Sequence, residues 1–262
     1  MRAFSRYYRV VTFDNRGFGK SDKPPGPYTT KMMASDTIAL MDRLGIEKAH
    51  IVVGSMGGMI AQEMAIDHPQ RVNKLVLFCT TAGGQPWQDI LLDLIEASDP
   101  GWNRPRSDLT EADLQKFMVA MASRSFNGKL HQMFIIPLVR LQARLGRVKV
   151  PVGQLEAMIS HNTLERLNRI QAPTLVLAGG KDRLMPLHSS EVLASRIKGA
   201  KLVVIKGGTY ALAAGPTSLE LRISGVDCSG PYPQAWTAVS FSFPSHVSAS
   251  RHVSTAGSPH LC

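Results

Sequence analysis

No apolar run in the 262-residue sequence approaches the ~20 residues that a helix needs to cross a bilayer, so no membrane span is expected. Residues Met1 to Arg9 are basic but lack the apolar stretch and cleavage site of a signal peptide. Cysteine is scarce: Cys79, Cys228 and Cys262 show neither metal-ligand nor disulfide spacing, which suits a reducing, cytoplasmic compartment. Acidic residues are outnumbered, 20 to 30, giving a net charge of +10. The basic residues are scattered and form no recognised nucleic-acid module, so a nucleic-acid partner is not expected. What is present is 44% hydrophobic and 19% charged residues, the balance of a soluble globular protein, in a chain long enough for one large domain or a core with a cap.

The organising stretch runs from His50 to Ala65. The β-branched run Ile51-Val52-Val53 feeds the small-residue turn Gly54-Ser55, and an amphipathic helix is expected to begin at once after it. A strand, a sharp turn and a helix would hold Ser55 at a corner, with the helix N-terminus aimed at the reacting group. Gly57 and Gly58 would let helix and strand backbones approach without a Cβ clash. Around this centre, Tyr8 to Asp14 and Arg71 to Cys79 read as strands, and Thr30 to Leu44 as a helix with Met33, Ile38, Leu40, Met41 and Leu44 on its apolar face, closed by Gly45. Strand and helix alternate, which argues for a doubly wound, mostly parallel α/β sheet. The strand pattern stops near Gly83 and helical faces take over, as at Asp108–Met121 and Gln132–Leu145. It returns at Thr174-Leu175-Val176-Leu177, where Asp182 follows just past the strand's carboxyl end, the edge at which open α/β sheets place their sites. A helix over Ser190–Ile197 and a strand over Lys201–Ile205 follow.

These motifs together resemble the α/β-hydrolase superfamily. Gly54-Ser55-Met56-Gly57-Gly58 is similar to its G-x-S-x-G nucleophile elbow, with Val53 standing where the first glycine usually stands. Asp14-Asn15-Arg16-Gly17-Phe18-Gly19-Lys20-Ser21 looks like its D-x-R-G-x-G-x-S loop, in which Asp14 and Arg16 have architectural roles. Asp182 falls at the position of the triad acid. The resemblance, closest to the enol-lactonase and small-ester branch, covers about Tyr8 to Leu212. It implies core segments at 1–82 and 168–212, a helical cap at 83–167 and an atypical, irregular tail at 213–262. In the implied mechanism Ser55 attacks a small ester or lactone carbonyl, a histidine relays the proton and Asp182 holds that imidazole. The Met56 N–H binds the oxyanion, and no metal or organic cofactor is needed.

Both ends depart from the family pattern. Lys206-Gly207-Gly208-Thr209-Tyr210 puts Tyr210 where the general-base histidine is expected, and a phenol of pKa about 10 cannot replace imidazole near neutrality. His188 and His161 are the alternative bases, although each reads better as structural. Ahead of Tyr8 nothing supplies the HG-type turn that gives the family its second oxyanion N–H. From Ala213 onward there is no lysine, and serine and proline recur; a shifted reading frame would produce such a tail, although Ala238 to Phe243 alternates as a strand would. Three readings stay open: an ester or lactone hydrolase weakened at its base, a non-catalytic binding protein on the same fold, and a truncated product.

Overall fold

The computed structural model describes residues 8–84, 87, 89, 90, 93, 137, 141, 152–209 and 237–241. Six strands form one sheet: β1 (Arg9–Phe13), β2 (Ala49–Gly54), β3 (Val72–Phe78), β4 (Thr174–Gly179), β5 (Lys201–Ile205) and β6 (Thr237–Phe241). Their order is β1-β6-β2-β3-β4-β5, and every pairing is parallel. The four described helices are α1 (Thr30–Arg43), α2 (Met56–Asp67), α3 (Val152–Ile159) and α4 (Leu187–Arg196). None is long and apolar enough to cross a membrane.

The sheet is covered unevenly, and the sequence explains why. All six residues of β4 are buried, as expected of an apolar strand with both faces covered, whereas β2 alternates buried and half-buried positions. α2 departs from the expected amphipathic helix. Met56 to Ile66 are buried on all sides, because α2 lies on β2 and β3 and is itself covered by α1 and by the 3₁₀ stretch Leu164–Arg169. Its only charged group in that span, Glu63, is held by a bidentate pair with Arg166 at 2.8 and 2.9 Å. α1 begins on Thr29, whose hydroxyl accepts the Met32 N–H, and ends at Gly45 in the left-handed region. It buries Met33 and Met41 as expected, together with Ala34 and Thr37; Thr37 Oγ1 satisfies itself on the Met33 carbonyl at 2.8 Å.

The loop after β1 is fastened as its motif implies. Asp14 Oδ2 accepts the Lys20 N–H at 3.0 Å, the Ser21 hydroxyl donates to the Asp14 carbonyl, and the Arg16 guanidinium grips Asp36 of α1 with two hydrogen bonds. The expected cap (83–167) lies largely outside the described residues. Within it, Trp87 is fully buried and its Nε1–H donates to the Met158 carbonyl of α3 at 2.8 Å.

The tail, expected to be irregular, contributes a strand. β6 sits between β1 and β2, with Val239 level with Val11 on one side and Ile51 on the other. Its alternating β-formers suit a pleated ladder, which the serine- and proline-rich composition around them obscures. β1 reaches the rest of the sheet through β6. The remainder of the tail lies outside the described residues.

A buried polar network locks the segment after β3 to the helices. His161 Nδ1 meets Thr30 Oγ1 at 2.9 Å, and its Nε2 lies 3.4 Å from Thr163 Oγ1. Thr163 Oγ1 donates to Gln62 Oε1 at 2.6 Å, and Gln62 Nε2 donates to the Thr81 carbonyl at 3.0 Å. Gly83 must be glycine here: it sits at φ 76°, and a Cβ would lie 1.9 Å from the His161 carbonyl oxygen.

Two outcomes follow from these placements. Proline at 239 removes a ladder N–H in a strand with neighbours on both sides. Val239→Pro is expected to abolish hydrogen-exchange protection across Arg9–Phe13 while β4 stays protected; intact protection of β1 would contradict its attachment through β6. Burial, with a smaller contribution from Arg166, lowers the His161 pKa from 6.5 to about 3. Below its ordinary pKa the unfolded chain takes up a proton that the folded chain refuses, so stability falls as pH drops through 6.5 toward 3. At about pH 5 this costs on the order of 2 kcal/mol. Melting followed between about pH 7.5 and pH 5 should therefore show a smaller drop in His161→Gln than in the parent, even though His50, lowered to about 4 mainly by burial, keeps part of the slope in both.

Candidate active site

Ser55 is where the sequence places it, at the junction of β2 and α2. It is one of two non-glycine residues with positive φ among the described residues, at φ 52° and ψ −130°. Such a conformation costs on the order of 1–3 kcal/mol and persists only when its surroundings enforce it. Here they do. The Ser55 N–H is shared between the Phe78 and Cys79 carbonyls at 3.2 and 3.1 Å, and its carbonyl accepts from Thr80 Oγ1 at 2.7 Å and the Gly58 N–H at 2.9 Å.

Two glycines make the approach possible. A Cβ on Gly54 would lie 2.2 Å from the Phe78 ring, and one on Gly58 would lie 2.6 Å from Thr80. The strand before the serine therefore tolerates buried Val53 where the family pattern has glycine, because Gly54 is the position that meets β3. Gly57 lies in the first turn of α2 and is buried. The Met56 N–H heads the same helix, among the N–H groups that have no acceptor within it, at the positive end of the helix dipole. An oxygen next to Ser55 would find that donor ready.

Asp182 follows β4 on a loop stitched to the loop after β5. Gly180 donates to the Ile205 carbonyl at 3.0 Å, and Lys181 donates to the Gly208 carbonyl at 2.7 Å. Asp182 Oδ1 accepts the Leu184 and Met185 N–H groups, each at 2.9 Å. The Cys79 thiol leans on the same carboxylate, and burial by this shared pocket drives that thiol well above its ordinary pKa. Burial raises the Asp182 carboxyl from its usual value, with the Met185 and Leu184 N–H groups pulling the other way. Cys79, which sequence reasoning used only as a redox marker, is thus the hinge of the site. At φ 47° it carries its carbonyl to Ser55 and its thiol to Asp182. Its signal was its level: one residue past Phe78, which pairs with Gly54.

Among the described residues, three buried side-chain nitrogens or oxygens have no hydrogen-bonding nitrogen or oxygen: Ser55 Oγ, Asp182 Oδ2 and Asn15 Nδ2. Buried polar atoms are nearly always paired, so orphans mark places where another group belongs. The first two belong to the residues that the family resemblance marks as nucleophile and acid.

Neither alternative histidine fills that place. His161 spends both ring nitrogens on threonines and is held neutral. The His188 side chain is 73% exposed, its Nδ1 lying 3.7 Å from Glu191 of the same helix. Tyr210 lies outside the described residues. The chain is described up to Thr209, next to Gly208, whose carbonyl receives the acid loop.

The comparisons with known proteins agree with this geometry. The family model described as alpha/beta hydrolase fold matches residues 1–215. A RutD protein of Caulobacter segnis, whose name is that of a carbamate hydrolase, is 28% identical over 227 residues, 80% of this chain and 77% of that protein. The 3-oxoadipate enol-lactonase 2 of Acinetobacter baylyi is 26% identical over 225 residues, 85% of this chain and 80% of that protein. Among solved structures, a hydrolase from Pseudomonas aeruginosa superposes with a TM-score of 0.65 at 26% identity, covering 85% of this chain and 80% of that one. The family model covers the described sheet, the Ser55 turn and the Asp182 loop alike, and the chain belongs to the α/β-hydrolase fold family.

Proposed function

We propose that this chain is a serine hydrolase of small carboxylic esters or lactones, with Ser55 as nucleophile and Asp182 as the acid of the triad. The observation that carries this reading is the pair of orphaned buried oxygens, Ser55 Oγ and Asp182 Oδ2, bridged through Cys79 at one edge of the sheet. Burying two unsatisfied groups costs on the order of 1–3 kcal/mol each, which a structural role does not repay. Relatives named for carbamate and enol-lactone hydrolysis support a carboxyl-level carbonyl with a heteroatom leaving group as the target, and the lactonase name supports an oxygen one.

The chemistry follows from the positions. Ser55 Oγ adds to the carbonyl carbon, and the developing oxyanion accepts from the Met56 N–H at the head of α2. Collapse expels the alkoxide and leaves an acyl-serine, which water hydrolyses. The proton that leaves Ser55 needs a base to carry it to the departing alkoxide, and in the family's sequence pattern Tyr210 stands at that base's position. A phenol is a poor base near neutrality, so turnover is limited there rather than at the nucleophile. The competing reading, a binding protein that keeps the fold without the reaction, draws on that same tyrosine.

The test is hydrolysis of p-nitrophenyl acetate by the parent, Ser55→Ala, Asp182→Asn and Tyr210→His. Restoring an imidazole is expected to raise kcat by ~10² or more, and Ser55→Ala is expected to abolish that gain. Asp182→Asn should remove most of the gain as well, because the imidazole loses the partner that holds its tautomer. Folded Tyr210→His protein without Ser55-dependent turnover would favour the binding reading.

A further inference from the structure

Cys79 stands on the strand between the two residues of the site. β3 lies between β2, which runs into Ser55, and β4, which leads to Asp182, and Cys79 follows β3 directly. All three residues are buried. Cys79 is also held at φ 47°, a left-handed backbone that glycine adopts freely and an L side chain adopts at a cost on the order of 1–2 kcal/mol. The side chain kept there at that cost has a specific contact: its thiol donates a hydrogen bond to the Asp182 carboxylate.

The carboxylate needs that donor. Burial of Asp182 favours its neutral form, and a neutral acid cannot stabilise a charged base beside it. Against burial stand the Met185 and Leu184 N–H groups on Oδ1 and the Cys79 thiol. A thiol is a weak donor to a neutral acceptor, but a charged acceptor in a dry site strengthens the bond. Burial, together with the negative charge of Asp182, keeps the thiol itself protonated. It therefore stays a donor across the working pH range and is no rival nucleophile to Ser55. Lys181 and Arg183 beside the acid are exposed, and among the described residues Cys79 is the titratable side chain that bears on the carboxylate. Oδ2, which has no nitrogen or oxygen partner among the described residues, remains open to another group.

We propose that Cys79 is a positioning residue for Asp182: its S–H donates to the carboxylate and fixes that side chain in the loop after β4, while its backbone carbonyl fixes Ser55. This assignment rests on the serine-hydrolase reading above. The thiol touches neither substrate nor the reacting atoms, forms no covalent bond and gives up no proton. It acts through the acid, by holding the carboxylate charged and in one orientation. The Cys79 carbonyl, 3.1 Å from the Ser55 nitrogen, ties that orientation to the nucleophile. Alanine at this position keeps the carbonyl contact and removes the thiol's, so the side-chain contribution is separable.

Infrared spectra of the natural chain and of Cys79→Ala identify the Cys79 S–H stretching band as the one lost, apart from those of Cys228 and Cys262. In Asp182→Asn that band is expected to move to higher frequency, because the acceptor has lost its charge. A band that stays in place overturns the proposal. Turnover of p-nitrophenyl acetate is then measured with Tyr210→His, beside thermal melting. There Cys79→Ala is expected to lower kcat by ~10-fold with KM changed by less than about threefold. The acidic limb of the kcat–pH profile is expected to move to higher pH, because a carboxylate with fewer donors takes up a proton more readily. Cys79→Ser, whose hydroxyl also donates, is expected to restore both. A merely structural cysteine would lower the melting temperature and leave kcat and the acidic limb in place, and that result overturns the assignment. Should Cys79→Ala not fold, Cys79→Ser assigns the infrared band, and Cys79→Gly, which suits φ 47°, replaces alanine in the kinetics. Ser55-dependent turnover that ignores Cys79 removes this inference alone. Absence of Ser55-dependent turnover from folded Tyr210→His protein removes the hydrolase reading, and the positioning role with it.

Discussion

Everything at this sheet edge depends on one shared hydrogen bond, the Ser55 N–H divided between the Phe78 and Cys79 carbonyls. It forces the chain to turn at a left-handed serine, and only close contact of β2 with β3 makes it possible. That contact in turn needs Gly54 against the Phe78 ring and Gly58 against Thr80. The same interaction fixes the start of α2, and it sets Cys79 between Ser55 and Asp182. The geometry of the candidate site and the packing of the core are therefore not separate designs here. A side chain added at Gly54 would press on Phe78, and through it on the carbonyl that holds the serine.

The strand–helix rhythm was readable because it rests on local chemistry: β-branched runs bounded by glycine and proline, and a capped helix with a periodic face. β5 has the bounds that its composition suggests, and β3 differs from its reading by single residues at its ends. Readings that depend on tertiary context fared differently. α2 looks amphipathic through Gln62 and Glu63, yet both are buried, because Thr81, Thr163 and Arg166 from distant segments satisfy them. No periodicity argument can see such partners. β6 was legible as an alternating fragment, but its parallel seat between β1 and β2 is a property of backbone pairing across the whole chain.

The site divides along the same line. Ser55 and Asp182 were legible because strand ends and small-residue turns announce themselves. Cys79 was not, since its contacts with Ser55 and Asp182 depend on its level in the neighbouring strand, which sequence distance hides. His161 shows the converse. A histidine near a hydrolase core invites a catalytic role, but Thr30 and Thr163 take both of its nitrogens, and burial keeps it uncharged. Its work is to hold the 82–84 turn beneath the site.

The seat of β6 also has a temporal meaning. Arg9 is paired with Thr237, far along the sequence, so β1 cannot take its place until the segment carrying β6 has been synthesised. The β2–α2–β3 unit can close early from contacts close in sequence, whereas β1 waits for β6. During that interval the loop bearing Asn15 has no sheet to stand on, and an exposed β2 edge offers unpaired N–H and C=O groups to any passing strand. Chaperone dependence and co-translational aggregation, more than final stability, are where this topology would leave its mark.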